Sequence, residues 1–238
     1  MPDPPDRAKL SAARAGADRV RPGHRVALGT GSTAAAAIRA LAERFPREGA
    51  IDAVASSEAS ARLATELGLT VRPLRGEDRF DIMLDGADEV APDLTLTKGG
   101  GGALLREKLL AERSEDVVIL VDPGKLVARL GQRFRIPVEV VPFARESVVA
   151  RIAALGAHAS VRAGHGGVPY RTDNGNEILD LHWPAGVPDP AATALALERI
   201  TGVVESGLFV GLASRVLIGH DDGRVLERLP PARTGERR

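Results

Sequence analysis

The chain has 238 residues, with 32 basic and 32 acidic side chains, five Phe, one Tyr, one Trp and no cysteine. Disulfides, zinc–thiolate centres and cysteine nucleophiles are thereby excluded, and zero net charge with few aromatic rings disfavours nucleic acid as a partner. No apolar run approaches a membrane span and Met1–Asp6 lacks the regions of a signal peptide, so a cytoplasmic protein is expected.

In chain order, a frayed start leads into a helix over Arg7–Val20, with Leu10, Ala13, Ala17 and Val20 on one stripe. Pro22-Gly23 turns into the apolar strand Val26–Leu28, and Gly29–Thr33 opens an Ala-rich helix to about Phe45. A strand at Asp52–Ala55, a helix at Glu58–Leu67 and a strand at Thr70–Leu74 follow. The strand Ile82–Leu84 runs into Asp85-Gly86-Ala87-Asp88-Glu89. After Gly99–Gly102 come a helix to about Arg113 and the buried strand Val117–Val121. Alternating strands and helices predict an α/β fold, a doubly wound, mostly parallel Rossmann-like sheet. From 131 to 206 the pattern is strand Ile136–Val141, helix Arg145–Leu155, strand His158–Arg162, strand Glu177–Leu181 and helix Pro190–Ile200. That order predicts a second, smaller α+β domain of split βαβ, ferredoxin-like type. Residues 1–130 plus about 207–229 form the larger domain, Gly207–Gly219 returning to the first sheet, and 230–238 reads as a disordered tail.

Three motifs carry chemistry. Gly29-Thr30-Gly31-Ser32-Thr33 lies between a strand and a helix, where curled backbone N–H groups and two hydroxyls suit a phosphate. A glycine turn N-capped by Ser32 or Thr33 is the bland alternative. A dinucleotide loop would want an acid at the end of the next strand, which here reads Ala55-Ser56-Ser57. Asp85, Asp88 and Glu89 fall at the carboxyl edge of the sheet, where open α/β folds place ligands. Their mutual repulsion suits proton transfer, although a solvated turn or a magnesium site would also use such residues. Four consecutive glycines after Lys98 are entropically costly unless backbone must approach a ligand. Glu107, in the second turn of the following helix, faces a ligand held there or is an ordinary surface Glu, with Lys108 its surface partner. Only four of the 32 cations are lysine: Lys9, Lys98, Lys108 and Lys125. Where the chain otherwise uses Arg, a retained Lys marks a candidate need for a compact ammonium. The five histidines are scattered and offer no metal cage or triad, and Tyr170, His182 and Trp183 read as packing or interface residues.

G-T-G-S-T at 29–33, D-G-A-D-E at 85–89, K-G-G-G-G-A-L-L-R-E-K at 98–108 and V-D-P-G-K at 121–125 resemble, as an ordered set, the ribose-5-phosphate isomerase A family. The resemblance extends to Val138-Glu139-Val140, Thr172–Asn176 and Gly207-Leu208-Phe209. It implies an aldose–ketose isomerase of the pentose phosphate pathway that interconverts D-ribose 5-phosphate and D-ribulose 5-phosphate. It also implies no cofactor and a homodimer or homotetramer; the small domain is the expected contact, and without a carboxylate/histidine cage no metal is expected. Glu107 is then the proton acceptor. Thr30, Gly31, Ser32 and Thr33, Asp85, Gly86, Ala87 and Asp88, and Lys98, Gly99, Gly100 and Gly101 line the sugar phosphate with Lys125, and Lys9 lies near. Ser214 stands where many relatives carry Asp, at a position read as fold closure.

Proton transfer through a cis-enediolate needs a base, a cation or amides for the oxyanion, and a relay between O1 and O2. Glu107, Lys98 with the glycine amides, and Asp85, with Asp88, fill these roles. An aminosugar-phosphate deaminase/isomerase and a non-catalytic sugar-phosphate sensor are the rival readings.

Overall fold

The computed structural model describes residues 6–47 and 49–231, so the first five residues and the tail from 232 lie outside the described residues. The first half builds α1 (Arg7–Ala17), β1 (Arg25–Leu28), α2 (Ser32–Arg44), β2 (Asp52–Ala55), α3 (Glu58–Glu66), β3 (Phe80–Gly86), β4 (Glu89–Val90), β5 (Leu96–Thr97), α4 (Leu104–Ala111) and β6 (Ser114–Val121). The second builds β7 (Ile136–Val140), α5 (Arg145–Ala153), β8 (His158–Val161), β9 (Glu177–His182), α6 (Pro190–Glu198), β10 (Val203–Ser206), β11 (Leu208–Phe209), β12 (Arg215–Gly219) and β13 (Val225–Arg228).

The main sheet runs β13-β12-β6-β3-β1-β2, parallel except at the β13 edge. Its strands read as continuous apolar runs because both faces are covered. Val26, Leu28, Ile82, Leu84, Val118 and Leu120 pack with α1 and α2 on one face. Ala27, Met83, Val117, Ile119 and Val121 pack with Leu110 and Ala111 of α4 on the other. The chain leaves β1 toward β2 on one side and comes back to β3 on the other. The order therefore reverses between β1 and β3, and a crevice opens outside their carboxyl ends. Gly29 and Asp85 stand at that crevice.

A three-stranded sheet, β11-β5-β4, lies over the second face. Its β4–β5 hairpin carries the chain from Asp88 back to Lys98, with the Asp88 N–H donating to the Thr97 carbonyl at 2.8 Å. The smaller domain is the antiparallel sheet β10-β7-β9-β8 with α5 and α6, the split βαβ arrangement completed by a last strand. Its core gathers Ile136, Val138, Val140, Val148, Ile152, Leu179, Leu181 and Leu197.

Several expectations need correction. The strand expected at Thr70–Leu74 is a single bridge between Ala53 and Val71, because Pro73 has no N–H to extend a ladder. Val203–Ser206, unassigned from sequence, is the strand that closes the smaller sheet. The stretch 207–219 divides, Leu208–Phe209 pairing with β5 and only Arg215–Gly219 rejoining the main sheet. Ser214 does serve closure: its hydroxyl accepts from Val117 N–H at 2.9 Å and its own N–H donates to the Val117 carbonyl at 2.9 Å.

Candidate active site

Gly29 ends β1 because Asp85 leaves no room for a side chain there: a Cβ at 29 would collide with the Asp85 carboxyl. Gly31 is required for a different reason, its φ of +106° at the N-cap of α2. Between them, the Thr30 N–H donates to Asp85 Oδ1 at 3.1 Å, while the Thr30 hydroxyl turns away to Ser56 and Ser57 at 2.7 and 2.8 Å. Ser60 closes this hydroxyl cluster by donating to the Gly29 carbonyl at 2.7 Å. Ser32 and Thr33 are left at the first turn of α2, where no side chain among the described residues caps the helix. Its amides are free for an anion.

Lys98 leaves β5 directly beneath this loop and is 3 % exposed. Its Nζ lies 2.8 Å from Asp85 Oδ2, donates to the Gly86 carbonyl at 2.7 Å and lies 3.4 Å from Glu107 Oε2. The Phe209 ring, its centroid 5.5 Å from the ammonium, backs it. Asp85 is held by two further donors, Thr30 N–H and its neighbour Gly86 N–H at 2.7 Å. Glu107 Oε2 has no hydrogen-bond partner among the described residues. Two carboxylates thus share one cation out of water. Burial pushes Glu107 up to about 8, with Lys98 pulling against the rise and Asp85 and Asp88 adding to it. Burial raises Asp85 as well, opposed by Lys98 and the two N–H groups. For Lys98, burial works against the ammonium, but the fields of Asp85 and Glu107 outweigh it and hold it above the ordinary lysine range.

Above Lys98 opens a cavity of about 110 Å³. Thr30–Thr33, Gly86–Asp88, Lys98–Gly101 and Glu107 line it, together with Lys9 and Lys125. Lys9 reaches it from α1, its ammonium 2.8 Å from Asp6, the N-cap residue. Lys125 comes from the Pro123–Lys125 turn after β6. Every residue expected around a sugar phosphate is brought to this one place. Asp85 alone is not on the wall; fully buried, it lies one layer deeper, behind Lys98. Asp88 faces the cavity, with Oδ2 accepting from Gly100 N–H at 2.8 Å.

The third acid of the motif departs. Glu89, 1 % exposed, accepts from the N–H groups of Gly131, Arg133 and Phe134 at 2.6, 2.6 and 2.9 Å. It anchors the linker to the smaller domain, since consecutive strand residues face opposite ways. Lys108, expected at the surface, is buried and donates to the Glu205 carboxylate and to the Ser206 carbonyl. α4 is wedged between the two large sheets, so the face that looks polar in sequence meets β10. Tyr170, read as packing, donates its hydroxyl to the Gly101 carbonyl at 3.3 Å, and Arg162 and Asp180 near the loop had no local signal at all. Among the described residues, no three His, Asp or Glu side chains are grouped to hold a metal ion, and no helix is long and apolar enough to cross a membrane.

Comparison with known proteins gives the family. Residues 52–223 match the family model described as Ribose 5-phosphate isomerase A (phosphoriboisomerase A). Ribose-5-phosphate isomerase A of Ruegeria pomeroyi is 45% identical over 230 residues, spanning 93% of this chain and 87% of that protein. The solved ribose 5-phosphate isomerase A of Methanocaldococcus jannaschii superposes with a TM-score of 0.87 at 36% identity, covering 93% of this chain and 97% of that one. A D-ribose-5-phosphate isomerase solved in complex with phospho-erythronic acid gives a TM-score of 0.87 at 35% identity and the same coverage, 93% and 97%.

Proposed function

The chain belongs to the ribose 5-phosphate isomerase A family, and from that premise we propose how its cavity moves the protons. The activity is the interconversion of D-ribose 5-phosphate and D-ribulose 5-phosphate, an aldose–ketose isomerisation of the pentose phosphate pathway. The observation that carries the mechanism is the buried Lys98, shared between Asp85 and Glu107 at the cavity floor.

Glu107 takes the proton from C2 of the open-chain aldose and returns it to C1. The oxyanion formed meanwhile is met by the Lys98 ammonium and the glycine-loop amides, without which a carboxylate is too weak a base for a carbon acid. Asp88, on the cavity wall, moves the proton from O2 to O1. Asp85 holds Lys98 in place from behind. The phosphate takes the amides at the start of α2, the Ser32 and Thr33 hydroxyls and the Lys9 ammonium, while Lys125 lines the same cavity. Phospho-erythronic acid, held by the solved relative, supports this reading. Its carboxylate spreads negative charge over two oxygens on a planar carbon, as an enediolate does, so the same compound is expected to inhibit this chain.

A coupled assay with ribose 5-phosphate against glucosamine 6-phosphate tests the assignment. Turnover of the pentose alone, unchanged by a chelator, is expected. Turnover of the aminosugar would revive the deaminase reading, binding without turnover the sensor, and loss with chelator a metal-assisted route. We further propose a cytoplasmic homo-oligomer that associates through the smaller domain. Phe143 is 102% exposed beside the exposed Val141, a costly surface for a lone protomer. Light scattering on a size-exclusion column would show a monomer if this is wrong.

A further inference from the structure

The smaller domain grips the glycine loop from outside. The Arg162 guanidinium donates to the Gly99 carbonyl at 2.8 Å and to the Gly100 carbonyl at 3.1 Å. Asp180 fixes that guanidinium from the far side, accepting from Nε at 3.0 Å and from the second terminal nitrogen. The Tyr170 hydroxyl takes the next carbonyl, Gly101, and the ring lies under the guanidinium with its centroid 6.0 Å away. A side chain at Gly102 would collide with that ring, which explains the last glycine of the run.

In a trans peptide the carbonyl and the following N–H point in opposite directions. Turning three successive carbonyls toward Arg162 and Tyr170 therefore fixes three N–H groups. Gly100 N–H goes to Asp88 at 2.8 Å and Gly102 N–H back to the Gly99 carbonyl at 3.0 Å. Gly101 N–H has no acceptor among the described residues, and Gly101 lines the cavity. We infer that Arg162, fixed by Asp180 and seconded by Tyr170, is a positioning residue that keeps the Gly101 N–H turned into the cavity as a donor to the developing oxyanion. Without that grip the Gly100–Gly101 peptide keeps no hydrogen bond among the described residues, and glycine on both sides of it leaves it free to rotate. The inference rests on the isomerase reading above.

The test compares Arg162→Ala, Arg162→Lys and Tyr170→Phe with the wild-type chain in kcat, KM and inhibition by phospho-erythronic acid. One oxyanion donor is worth about 10²–10³-fold in kcat. Arg162→Ala is expected to lose about 10²-fold in kcat with KM nearly unchanged, and phospho-erythronic acid should weaken in step with kcat. Arg162→Lys, able to reach one carbonyl, should recover part of the loss. Tyr170→Phe removes one hydroxyl from an intact fold and should show a smaller loss of the same kind, so the inference stays open to refutation even if Arg162→Ala fails to fold. Full kcat in Tyr170→Phe and Arg162→Lys, or a loss confined to thermal stability, would overturn it. A wild-type chain without ribose 5-phosphate turnover would instead overturn the reading beneath.

Discussion

Glu107 lies 3.4 Å from the ammonium of Lys98 at Oε2, an oxygen to which no other described group donates. Asp85, on the other side of the same ammonium, has two backbone N–H groups as well. Of the two carboxylates sharing one lysine, Glu107 has the fewer donors and is the one on the cavity wall, and burial pushes it up to about 8. That makes it a base poised near the pH at which it must work.

The activity should carry this signature. Glu107 must be ionised to accept the C2 proton, and burial pushes it up to about 8. kcat/KM for ribose 5-phosphate is therefore expected to rise about tenfold per pH unit on the acid side and level off above about pH 8. A profile flat from about pH 6 to 9 would remove Glu107 from the role.

Replacing that base should stabilise the chain while abolishing turnover. Between the ordinary glutamate value and about 8, the unfolded chain has released the proton and the folded chain still holds it. The folded state thus loses stability steadily as pH rises through that window, and the loss is complete above it. Glu107→Gln removes the titration. It should bind ribose 5-phosphate nearly as before, isomerise none, and melt higher than wild type. The gain should be absent near pH 4 and reach several degrees near pH 9, at about 2–4 °C per kcal/mol for a chain this size. Melting curves that run parallel across pH would contradict it.

Much of this site is legible in sequence because its parts lie at strand ends and loop starts. Asp85 follows the apolar run of β3, and Lys98 and Glu107 flank a glycine tract whose entropic cost marks it out. What is hidden depends on contacts between distant residues. Arg162 and Gly99 are 63 positions apart and meet only when the smaller domain folds over α4. Lys108 looks like a surface partner until β10, a strand four residues long, supplies Glu205. Gly29 looks like part of a phosphate loop, whereas the nearer reason for it is the bulk of Asp85 across the switch point.

Lys98→Arg keeps the charge and should still be damaging. The side chain is 3 % exposed and its compact head fits among Asp85, the Gly86 carbonyl, Glu107 and the Phe209 ring. A planar guanidinium is larger and cannot put one point charge between two carboxylates. A fall in kcat of about 10²-fold or more is expected, with a lower melting temperature. Near-normal turnover in this variant would mean that only net charge matters there.

Glu89 should separate fold from chemistry within the acidic motif. Its two oxygens accept three backbone N–H groups from 131–134, the segment that leads into β7 and the smaller domain. In Glu89→Gln one end of the side chain becomes a donor and must face either Gly131 N–H or the N–H groups of Arg133 and Phe134. An unsatisfied buried group of this kind costs about 1–3 kcal/mol, so the melting temperature should fall by about 3–10 °C. Well below that temperature the linker is still seated and the cavity residues are untouched, so kcat should stay within a few-fold of wild type. A large drop in kcat without loss of stability would instead place Glu89 with Asp88, among the groups that handle substrate protons.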